Sequence, residues 1–150
     1  MVENLSSDYD FNFSDWPFYW LAKADRAYLA KLEIALSKVG LDIPRWRVLM
    51  VLHSRSKASV SELADHSIVK LSTMTKIVQR MEADSLVSSA PSKRDGRVTE
   101  ITITAKGDEA GQHAWKEANA IMQNAFDGFR KRDQQTLMNL LRKLSENLSA

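Results

Sequence analysis

Between residues 70 and 97 the chain sets Lys70, Ser72, Thr73, Thr75, Lys76, Gln79 and Arg80 in one stretch and Lys93, Arg94 and Arg97 in the next. Hydroxyls and amides bond phosphates and base edges, while ammonium and guanidinium groups neutralise a phosphate backbone. The mixture therefore suits a polyanion with readable edges, which is duplex DNA. Other chemistry finds little support. Cysteine is absent, which removes thiolate nucleophiles, disulfides and Cys-based zinc or iron–sulfur sites. His53, His66 and His113 do not fall at H-x-x-x-H or H-E-x-x-H spacing, and no G-x-S-x-G or phosphate-cradling loop occurs among the five glycines. No catalytic residue, metal ligand or cofactor is expected, and the chain does not read as an enzyme.

The net charge of +2 over 150 residues hides an asymmetry. Residues 1–42 hold four cations against seven anions, whereas residues 70–97 hold six cations against three anions. A basic middle beside an acidic lead is the electrostatic footprint of a nucleic-acid contact, with a solvated charged face as the plain alternative. With 44% apolar residues the chain can bury a hydrophobic core as one domain. The start, MVENLSSDYDFNFSDW, carries acids where a signal peptide needs cations, and no apolar run nears the roughly 18 residues of a membrane span. A cytoplasmic protein without membrane contact is the expectation.

The elements that would position the basic residues follow from periodicity. Leu21, Tyr28, Leu32, Leu36 and Val39 predict a helix over 17–39, with Pro17 in its first turn and Gly40 ending it. Asp42 is a plausible cap for a second helix over 44–55, whose apolar side is Trp46, Leu49, Met50 and Leu52. Ser59-Val60-Ser61-Glu62 has the form of a capping box, so a short third helix starts there. Leu71, Met74, Val78 and Met81 then form one stripe of a fourth helix, leaving the hydroxyls, Lys76, Gln79 and Arg80 on its other surface.

Leu86 and Val87 open a strand that Pro91 breaks, and the alternation of Thr99, Ile101 and Ile103 with Val98, Glu100 and Thr102 predicts a return strand. Asp95-Gly96 can supply the positive backbone dihedrals of a tight turn, so Lys93, Arg94 and Arg97 ride the tip of a hairpin. Asp95 is expected to accept hydrogen bonds in that turn or to pair with Arg97 or Arg94. Thr104 caps a fifth helix reaching about Phe129, and Asp133 caps a sixth carrying Leu137, Leu140, Leu141, Leu144 and Leu148. The fold class is mainly α with a small β-hairpin: a winged helix-turn-helix with extra helices at both ends.

Residues 60–87, VSELADHSIVKLSTMTKIVQRMEADSLV, resemble without a gap the helix-turn-helix of the multiple-antibiotic-resistance regulator (MarR) family. Asp95-Gly96-Arg97 is similar to that family's D-x-R wing, and Ile103-Thr104-Ala105-Lys106-Gly107 to its L-T-x-x-G helix start. The likeness runs from about residue 16 to 148. Two departures occur: Ser85 stands where the family usually has Gly, and Lys70 where it often has Ser or Asp, which turns Lys70 from a cap into a phosphate contact.

The resemblance implies a homodimer, with residues 16–39 and 104–149 as dimerisation helices and 43–103 as the DNA-binding region. It implies two heads on a pseudo-palindromic double-stranded operator and repression relieved by a small aromatic or anionic ligand. Trp20, Arg26, Tyr28, Trp46 and His53 lie on the first two helices near where the family's pocket forms; flat walls beside an Arg or His could hold an aromatic acid, although aromatic residues at helical spacing more often pack a core. A winged helix serving as a protein-docking module is the competing function, and the polar, cationic surface of the fourth helix argues against it.

Overall fold

The computed structural model describes residues 10–150; Glu3 and Asp8 of the acidic lead lie outside them. A 3-10 turn at Phe13–Asp15 leads into α1, Pro17–Ser37, which buries Leu32, Ala35 and Leu36. Gly40 at φ +74° reverses the chain, and the amides of Gly40 and Leu41 bond back to the carbonyls of Ser37 and Leu36. The helix thus stops two residues before Val39, and Leu21, expected on its apolar stripe, is exposed.

In α2, Ile43–Arg55, the Asp42 carboxylate accepts from the Arg45 amide at 3.0 Å, and Val48, Leu49 and Leu52 enter the core. Next comes a strand the periodicity did not predict, β1, Lys57–Ser59. Three residues are too few to alternate visibly, and here they also lead into a cap. The Ser59–Glu62 capping box is reciprocal, at 3.1 and 2.8 Å, and starts α3, Val60–His66. The recognition-type helix α4, Leu71–Ala83, buries Met74, Val78 and Met81. Leu71, the fourth member of the predicted stripe, is 54% exposed.

Strands β2, Val87–Pro91, and β3, Thr99–Ile103, pair antiparallel with Val87 opposite Ile103 and Pro91 opposite Thr99. On its other edge β3 pairs with β1, placing Ala58 against Ile101, so the sheet has three strands in the order β1-β3-β2 rather than two. The core lies where α1, α2, α3, α4, the sheet and α5, Ala105–Ala125, meet, with Leu32, Leu49, Leu63, Met74, Val87, Ile101 and Ala114 at its centre.

The Thr104 hydroxyl caps α5 by accepting from the Gly107 amide at 3.0 Å. A Cβ at Gly107 would collide with the Leu86 carbonyl, so the helix start can approach the strand entry only as glycine. The helix ends at Ala125, four residues before Phe129, and Gly128 at φ +80° turns the chain. In α6, Lys131–Ser149, Asp133 is not the cap; Arg130 occupies that position and its guanidinium holds the Asp133 carboxylate at 2.8 and 3.2 Å. No residue of α6 is buried.

Candidate nucleic-acid interface

The turn between α3 and α4 sets the direction of α4. Ser67 is fully buried there, its carbonyl accepts from the Arg47 guanidinium of α2 at 3.2 Å, and the Ile68 and Val69 amides bond to the carbonyls of Asp65 and Ala64. So held, α4 buries its apolar side and leaves Ser72, Thr73, Thr75, Lys76, Gln79 and Arg80 exposed. Lys70, at the N-cap position, makes no side-chain cap and is exposed. The Thr75 hydroxyl donates to the Leu71 carbonyl at 3.0 Å, which leaves its oxygen as an acceptor only.

The hairpin tip differs from the expected tight turn. Neither Asp95 nor Gly96 has positive φ. Side chains shape the loop instead: Ser92 Oγ accepts from the Arg94 amide at 3.2 Å, and Asp95 Oδ1 accepts from the Arg97 amide at 3.1 Å. Asp95 also pairs with the Arg97 guanidinium at 3.8 Å. Both groups are open to water, so the pair orients Arg97 more than it stabilises the fold. Among the described residues, Lys70, Lys76, Arg80, Lys93 and Arg94 form no ion pair with an acid, and all five are exposed. Lys93 and Arg94 also line a groove of about 490 Å³ with Lys57, which the charge pattern alone did not single out.

Three contacts fix this hairpin, the wing, relative to α4. Glu82 near the end of α4 accepts from both the amide and the hydroxyl of Ser89 in β2, at 3.2 and 2.7 Å. Ser85, at φ +60°, bends the chain out of α4, and its carbonyl accepts from the Thr104 hydroxyl at 2.6 Å. Lys106 donates to the Asp84 carbonyl at 2.8 Å. These contacts join the cationic helix to the hairpin that carries the cationic loop, and recognition of a groove and its flanking backbone requires such elements to be held in a fixed relation.

The five aromatic, Arg and His residues expected near a pocket do not converge on one cavity of the chain. The Trp20 indole donates to the Ser14 carbonyl at 2.7 Å and packs with Tyr19 and Lys23. Arg26 is exposed on α1. Tyr28 lines a cavity of about 610 Å³ between α1 and α5; burial raises its phenol pKa, against the opposing pull of Arg47 and with a smaller push from Asp25. Trp46 is half-buried against the core, and its indole N–H has no hydrogen-bond partner among the described residues.

His53 alone lines a cavity of about 360 Å³, between α2 and α5, with Leu49, Met50, Ile103, Trp115 and Lys116. There its Nδ1 lies 2.9 Å from Asp108 Oδ1, while Gln112 donates to Oδ2 at 2.8 Å. The His53 and Gln112 hydrogen bonds, in that order, hold the Asp108 carboxyl below its ordinary range. No local pattern marks Asp108, Trp115 and Lys116 as lining residues, because they share a lining only through the packing of α5 on α2. No helix of the described residues is long and apolar enough to cross a membrane.

Residues 41–99 match the MarR family. The chain is 42% identical over 139 residues to the HTH-type transcriptional repressor IacR of Pseudomonas putida, covering 93% of this chain and 83% of that one. Its fold is similar to CouR of Rhodococcus jostii RHA1 bound to p-coumaroyl-CoA, with a TM-score of 0.82 at 19% identity over 89% of this chain and 94% of the other. It is also similar to Bordetella bronchiseptica BpsR, whose DNA binding is regulated by 6-hydroxynicotinic acid, with a TM-score of 0.80 at 21% identity over 90% and 96%. A winged helix-turn-helix with an open cationic face and this degree of likeness to IacR places the chain in the MarR family of DNA-binding transcriptional regulators, and it is a regulator rather than an enzyme.

Proposed function

We propose that this regulator is a homodimeric repressor that grips a pseudo-palindromic operator with one α4 and one wing from each protomer, and that a small aromatic acid releases it. The observation that carries the reading is the rigidly joined pair of cationic surfaces, α4 with Lys70, Lys76 and Arg80 and the wing with Lys93, Arg94 and Arg97, all open to solvent. In this reading Ser72, Thr73, Thr75 and Gln79 meet base edges or phosphates in the major groove, and Arg97 enters the neighbouring minor groove. Two heads would sit in successive major grooves, roughly 34 Å apart.

The dimer reading rests on residues 16–39 and 104–149. Leu137, Leu141, Leu144 and Leu148 recur at the spacing of a helix-pairing seam, yet within the protomer Leu137 is 39% and Leu148 67% exposed. The ligand reading rests on the cavity between α2 and α5, where Trp115 offers a flat wall, Lys116 a cation and Leu49, Met50 and Ile103 an apolar floor. CouR bound to p-coumaroyl-CoA, an aromatic thioester, and BpsR, whose DNA binding is regulated by the aromatic acid 6-hydroxynicotinic acid, support a ring-bearing ligand.

Sedimentation of the full chain, with titration of a duplex selected from random sequence, tests the proposal. A dimer at micromolar concentration that binds the selected duplex and is displaced by an aromatic acid is expected. A stable monomer that binds the duplex tightly would refute the architecture, and displacement by no aromatic acid would remove the ligand part.

A further inference from the structure

Two apolar side chains interrupt the polar face just described. Ile68, in the turn before α4, is 78% exposed, and Leu71, the first residue of α4, is 54% exposed. Exposed Lys70 lies between them, and Ser72, Thr73, Thr75 and Lys76 follow. Neither side chain is at its place for the sake of the protomer core, which takes Met74, Val78 and Met81 from the same helix and half-buries Val69 from the turn.

Ile68 adds a second observation. Its backbone is held at φ +59°, a region where a β-branched residue is an outlier and a glycine is at ease. Hydrogen bonds on both sides impose that conformation: the Ile68 amide bonds to Asp65, the Val69 amide to Ala64, and Arg47 holds the Ser67 carbonyl. The chain therefore tolerates backbone strain at a position where the side chain gains almost no burial.

We infer that Leu71, flanked by Ile68, reads the 5-methyl group of a thymine in the operator half-site and so sets part of the sequence specificity. The inference rests on the DNA-binding reading proposed above. In the major groove the thymine methyl is the one apolar feature that a base edge presents, and it is recognised by apolar contact. The surrounding charge selects the occupant. Lys70 and Lys76 beside the pair suit a polyanion, whereas docking an apolar protein surface would strip water from both ammonium groups without compensation.

The test uses wild-type protein and the duplex it selects from random sequence, with each thymine of both half-sites replaced in turn by deoxyuracil, which removes only the methyl. At one symmetric position the wild type should lose about fourfold in affinity per half-site, the value of one buried methyl group. Leu71→Ala should bind the thymine duplex more weakly by a similar factor and should no longer distinguish thymine from deoxyuracil at that position. Equal wild-type affinity for every replaced duplex overturns the inference, as does a Leu71→Ala protein that still senses the methyl. A wild type that selects no duplex instead overturns the DNA-binding reading itself. If Leu71→Ala lowers the dimer population rather than the methyl response, the pair belongs to a contact between copies, and the inference is again overturned.

Discussion

His53 and Asp108 are joined by a 2.9 Å hydrogen bond that ties α2 of the winged head to α5 at the edge of the cavity between them. Because this bond and that of Gln112 favour the ionised carboxyl, the Asp108 pKa is lower in the folded chain than its ordinary 3.8. The contribution is therefore complete above about pH 5 and fades as pH falls through the folded value. Thermal unfolding of wild type and Asp108→Asn across about pH 5 to 3 should show a steeper loss for the wild type. Parallel curves would mean that the hydrogen bond carries no linkage.

Ser85 marks the exit from α4 in a left-handed conformation, where its Cβ is unfavourable and glycine is not. Ser85→Gly should leave the Thr104 contact to the backbone carbonyl intact and raise stability by up to about 1 kcal/mol, the gain being trimmed by the freer unfolded chain. Urea denaturation decides the sign.

Gly107 presents the opposite case. Any side chain there meets the Leu86 carbonyl and the Ile103 side chain, and neither can retreat without moving the junction of α5 with the sheet. Gly107→Ala should destabilise the protein by about 1–3 kcal/mol. Because the strained junction also carries the wing, operator affinity should fall with stability, measured by denaturation and duplex titration on the same preparation.

On the wing, Arg97 and Lys93 should separate by kind of contact. Arg97→Ala is expected to weaken operator binding by about 1–3 kcal/mol if the guanidinium enters a groove, while Lys93→Ala should reduce the slope of log affinity against log salt by about one. Titration at several salt concentrations reads both, and unchanged affinity for Arg97→Ala would remove the groove role of the wing.

Much of this molecule was legible in its sequence because the signals are local. The Ser59–Glu62 box, the Asp42 and Thr104 caps and the Met74, Val78, Met81 stripe each need only residues within a few positions of one another, and each formed as the spacing predicts. Charge partition and the wing cations were equally readable, since exposure is the default for Lys and Arg.

Tertiary structure decided the rest, because distance along the chain hides it. β1 exists as a strand only because β3 offers it an edge, and Gly107 is required only because Leu86 passes over it. Gly96 shows the converse: its residue type suggested a left-handed turn, but Ser92 and Asp95 bond the loop amides into another shape. His53 met Asp108 across 55 positions while Trp20 and Arg26 went elsewhere, so the pocket lining depended on how α5 lies on α2. Which residues are exposed at the start of α4 was likewise settled by packing: a leucine on an apolar stripe reads as core until the neighbouring elements leave it uncovered.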